Sequence, residues 1–71
     1  MIALPAQWPQ ADGTLVSCRE KLKTLAENHA ELAQVMQDAF EDAVLIGVAP
    51  AAMRKVLADM VASLESPLVQ R

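Results

Sequence analysis

From Ser17 to Ile46 the chain runs without a proline or a glycine, and no other stretch of it is as long. Such a segment reads as a helix of about 29 residues, or roughly 43 Å at 1.5 Å per residue. The only other helical segment, Pro50 to Glu65, reaches roughly 24 Å by the same arithmetic. The apolar stripe of the long helix therefore outruns its only helical neighbour. Something else has to cover the remainder, and a second copy of the chain is the simplest cover.

Composition agrees. Hydrophobic residues make up 54% of the 71 positions while aromatics make up only 3%, so the apolar content is mostly Ala, Leu, Val and Met. That vocabulary favours helix. It is also more apolar surface than a small monomer hides, because a chain this short buries only about 60% of its unfolded surface. A net charge of −3 gives no basic face for nucleic acid. The single Cys18 cannot form an internal disulfide. Residues Met1 to Pro5 lack the positive region and apolar core of a signal peptide. The most apolar run, Ala43 to Met53, is broken by Gly47 and Pro50 and is too short to span a bilayer. The expected setting is cytoplasmic, with neither a nucleic-acid nor a membrane partner.

Three segments follow. Residues 1–16 hold Pro5, Pro9 and the pair Asp12-Gly13, all of which resist regular structure, so an extended N-terminal arm is expected, with Trp8 between two breakers. Helix one is expected over about 17–46. Ser17-Cys18-Arg19-Glu20 has the form of a capping box, in which the Ser17 hydroxyl and the Glu20 carboxylate satisfy each other's backbone N–H. Gly47 is suited to the left-handed conformation that ends a helix, with Val48 folding back on Ala43. Pro50 then opens helix two, expected over about 50–65 and stopped near Ser66-Pro67. The tail from Leu68 to Arg71 frays or packs. So short a connection makes an antiparallel helical hairpin, here taken as residues 17–71. The fold class is all-α: one long and one shorter helix that dimerise into a four-helix bundle.

Apolar or small residues recur along helix one at Cys18, Leu22, Leu25, Leu32, Met36, Ala39, Ala43 and Ile46, the alternating three-and-four spacing of a heptad seam. Ala26, Ala33, Phe40 and Val44 widen it on one side, and His29 is its only polar member. Arg19, Lys21 and Lys23 crowd the start of this helix while Asp38, Glu41 and Asp42 crowd its end. Both clusters oppose the macrodipole, at about 0.3–1 kcal/mol per charge if nothing answers them. Arg54 and Lys55, at the start of helix two, can answer Glu41 and Asp42. An antiparallel second copy can answer both clusters. The register that sets Leu25 opposite Met36 also sets Leu22 opposite Ala39 and His29 opposite Leu32, and it brings Lys23 near the partner's Asp38. The expected dimer interface is accordingly Leu22, Leu25, His29, Leu32, Met36, Ala39 and Phe40.

No residue pattern signals catalysis, a cofactor or a bound metal. His29 has no Glu-x-x-His partner and reads as a residue that fixes register. Cys18, beside Arg19 and Lys21 in a first helical turn, has the surroundings of an activated thiol, but there is no resolving cysteine. Trp8 either folds back over the seam near Leu22 and Leu25 or docks into another protein. Asp38, Glu41 and Asp42 lack the glycine-containing loop of a calcium site and read as a solvated or partner-binding face. The function expected is a small non-enzymatic interaction module (adaptor, regulator or assembly factor) that acts as a homodimer. The alternatives are a small enzyme or cofactor-binding bundle with its site at the dimer interface, and a subunit of a hetero-oligomer.

Overall fold

The long proline-free and glycine-free stretch does form a single helix, α1, over Arg19–Ile46. It appears in a computed structural model that describes residues 2–68. The expectation for the tail at 69–71 lies outside the described residues. A second helix, α2, covers Pro50–Ala62. No strand accompanies them among the described residues, so the all-α hairpin stands.

Each helix end has a local cause. The first helical hydrogen bond runs from the Leu22 N–H to the Cys18 carbonyl, at 2.9 Å. Cys18 is therefore the residue that caps α1, and the helix begins at Arg19 rather than at Ser17. The backbone N–H groups of Lys21 and then Glu20, at the open end of the helix, hold the Cys18 thiol below its usual value. Cys18 thus holds the cap position expected of Ser17, and the start of the helix is displaced by one residue. At the other end, Val48 N–H reaches the Ala43 carbonyl at 2.9 Å and Gly47 N–H reaches that of Val44 at 3.0 Å. Together with a Gly47 φ of +115°, these bonds make the Schellman ending that the sequence calls for. Replacing Gly47 with Ala is expected to cost about 1–2 kcal/mol, because a Cβ disfavours the left-handed region. Chemical denaturation measures it, and an unchanged midpoint would contradict the turn's role.

Ala49, extended at φ −61° and ψ 135°, leads into Pro50 at the first turn of α2. The second helix stops at Ala62, three residues short of the expected Glu65. Ser63 ends it. Its Oγ donates to the Asp59 carbonyl at 2.8 Å, while its N–H is shared between the carbonyls of Asp59 and Met60. A serine hydroxyl that bonds back four residues competes with the ladder and makes a natural stop.

The arm also differs from expectation. Residues 2–7 carry no regular element, but the rest of the arm is closed rather than extended. Pro9 and Leu15 form an antiparallel bridge. Gln10 N–H donates to the Thr14 carbonyl at 2.7 Å and Val16 N–H to that of Trp8 at 2.9 Å. The turn rests on Asp12, whose Oδ1 accepts both the Thr14 N–H at 2.9 Å and the Thr14 hydroxyl at 2.6 Å. Gly13 supplies the positive φ, +90°, that the reversal needs. The Asp-Gly signal was thus a turn with partners on both sides, and those partners fold the arm into a loop.

The chain divides into two compact units, Met1–Asp38 and Ala39–Arg71. The first holds the loop and most of α1, the second the end of α1 with α2. No described residue in either unit is buried. In both, even the best-covered apolar side chains among the described residues keep some exposed surface. Among the described residues, no helix is long and apolar enough to cross a membrane.

Candidate functional site

In the first unit, the seam of α1 meets the loop. Trp8 is half-buried, with its ring edge-on to His29 at a centroid distance of 6.3 Å and an interplanar angle of 79°. Trp8 therefore folds back, one helical turn beyond the Leu22–Leu25 region where it was expected. Leu22, Leu25, His29 and Met36 are all half-buried, while Leu32 is 59% exposed. Val35 has the same character at 65%, and with Asn28, Glu31 and Leu32 it lines a shallow groove on the surface of α1.

Leu25 and Leu32 lie seven residues apart on one row, and two rows flank it. One carries Leu22, His29 and Met36; the other carries Lys21, Asn28 and Val35. The first is the more apolar and is the one half-covered. The second stays open, and Leu32 and Val35, three residues apart, form its apolar patch.

In the second unit, Ala39, Phe40, Ala43 and Val44 on α1 and Met53 and Leu57 on α2 are half-buried. Phe40 and Arg54 flank the turn symmetrically, and the guanidinium lies 4.8 Å above the ring centroid. Such a cation–π contact is worth about 0.5–1 kcal/mol at an exposed site. The sequence contained the signal, since both residues stand seven positions from Gly47. The open side of α2 carries Met60, 61% exposed, with Val56 and Val61, and Leu64 just past its end is also exposed.

The charges fall as follows. Lys55 pairs with Asp59 one turn along its own helix at 2.8 Å, a pair legible as an i,i+4 match. Lys23 lies 4.0 Å from Glu27, with both side chains well exposed, so the contact adds little. Asp38 accepts the Gln34 Nε2 amide at 2.9 Å and remains exposed, as do Glu41 and Asp42. Among the described residues, no three His, Cys, Asp or Glu side chains gather as metal ligands would.

Two groups have shifted acidities. The Cys18 thiol is exposed and is held below its usual value by the Lys21 N–H, then the Glu20 N–H, with the Lys21 charge adding slightly. Asp12 is lowered by the Thr14 hydroxyl and then by the Thr14 N–H. A carboxylate depressed in the folded loop stabilises it above the unfolded pKa, and that support is lost as pH falls through the folded value. Acid is therefore expected to loosen the loop below the usual carboxylate range, read as a red shift of Trp8 emission. The Asp12→Asn variant should show that shift much reduced, and an equal acid response in both would remove Asp12 from the account.

Comparison with protein families, with curated proteins and with solved structures finds no significant match.

Proposed function

We propose that the chain is a small non-enzymatic protein–protein interaction module that works as a homodimer in the cytoplasm. Two copies pair antiparallel through α1, and their hairpins complete a four-helix bundle. The observation that carries this reading is that no described residue is buried, although 54% of the chain is hydrophobic. A folded chain of this length has little stability without a covered core, and a second copy is the cover that the sequence itself supplies.

The interface is Leu22, Leu25, His29, Leu32, Met36, Ala39 and Phe40. Most of these are half-buried and Leu32 is open, so each has surface left to give to a partner. The antiparallel arrangement also sets the basic start of one α1 against the acidic end of the other. Exposed pairs add little energy, so these charges choose orientation rather than strength. Asp38, Glu41 and Asp42, all exposed, remain the surface through which the dimer meets another protein.

Mass determination on native material drawn from its own cell tests the reading. A metal-free homodimer, alone or with a protein partner, is the expected species. A monomeric chain carrying a metal or cofactor would contradict it, as would a stable pairing of one copy with a different protein.

A further inference from the structure

We propose that the loop at residues 8–16 is a displaceable latch, an intramolecular cover that competes with a second copy of the chain for the seam of α1. The inference rests on the homodimer reading above and adds regulation to the same surface.

Three observations carry it. The loop is a self-contained body, since the hydrogen bonds that close it run between its own residues: Trp8 to Val16, Gln10 to Thr14, and Thr14 to Asp12. Trp8 therefore moves with Val16, which lies only three residues before the start of α1. Next, the ring lands on His29, the residue at the centre of the antiparallel register, where it faces the partner's turn around Leu32. One turn of helix cannot hold Trp8 and a second helix together at the same rows. Finally, the cover is incomplete. Trp8 remains only half-buried, and its ring contact to His29 is a single edge-on pair.

Population arithmetic gives the consequence. A molecule whose binding-competent state is a minor fraction shows an affinity weakened by that fraction. Docked, the loop keeps the chain monomeric when dilute; released, it exposes Leu25 and His29 for pairing.

Trp8 is the sole tryptophan, so it reports its own release. Emission of the wild-type chain would be followed against concentration, alongside mass by sedimentation. The expected result is a red shift that tracks the doubling of mass. Removing the anchor with Trp8→Ala should tighten self-association by roughly tenfold, the scale of one aromatic pair. Should that variant fold poorly, Asp12→Ala loosens the loop without touching the seam and should act in the same direction. Mass doubling with fixed or blue-shifted emission would overturn the latch and leave the homodimer intact. So would variants that associate no more tightly than wild type. A chain that stays monomeric throughout would overturn both.

Discussion

Replacing Leu25 with Asp is expected to dissociate the dimer. Leu25 sits on the row shared by both flanking seams of α1, is half-buried, and lines a surface groove together with Val16 of the arm. Full burial of a leucine is worth about 1.5–3 kcal/mol, and two-fold symmetry applies each loss twice. The part of each side chain already covered in the monomer reduces that gain. A weakening of about 100-fold in the dissociation constant is the scale to expect. A carboxylate forced against the partner's Met36 adds desolvation to the lost contact. The monomer itself should remain largely helical, since Leu25 lies in the first unit and the turn and α2 belong to the second. Light scattering across a dilution series, with helicity measured on the same samples, separates the two effects.

Leu57→Asp should behave in the opposite way. Leu57 is half-buried in the second unit, where Met53, Phe40 and Val44 are also half-covered. A charge placed there strikes the hairpin directly, at roughly 2–4 kcal/mol from lost burial and an ill-solvated carboxylate. Total stability for a chain of this size is about 4–10 kcal/mol, so the loss is a large share of it. The expected result is a much lower unfolding midpoint with weakened helicity, and dissociation only as a consequence. If both variants dissociate the dimer equally while leaving the helix content unchanged, α1 does not carry the interface alone.

Much of the fold was legible because its signals are local. The Gly47 ending needed only a glycine after an apolar helix and Val48 behind it, and the hydrogen bonds to Ala43 and Val44 follow from that geometry. Pro50 opening α2 is equally local. The misplaced boundaries have a common cause, side chains that compete with backbone groups. Cys18 takes the cap position of α1 in place of Ser17, and the Ser63 hydroxyl bonds back to Asp59 before the helix reaches Glu65. Composition alone does not rank such competitors.

The site was legible as a row and not as a face. Heptad spacing finds Leu25 and Leu32 but gives equal standing to the rows on either side. Which row is covered depends on where the loop lands, and that is a tertiary fact. Asp12-Gly13 announced a turn, yet the pairing of Pro9 with Leu15 and the landing of Trp8 on His29 join residues that no periodicity connects. The open patch of Leu32 and Val35 became visible only once the other row was seen to be covered.

Self-association through α1 is the claim on which the rest depends, and the mass of the purified 71-residue chain in solution tests it most directly. Sedimentation equilibrium at micromolar concentration should return twice the 7.7 kDa of one chain, falling towards a single chain on dilution. A cooperatively folded species of 7.7 kDa at every concentration would contradict it.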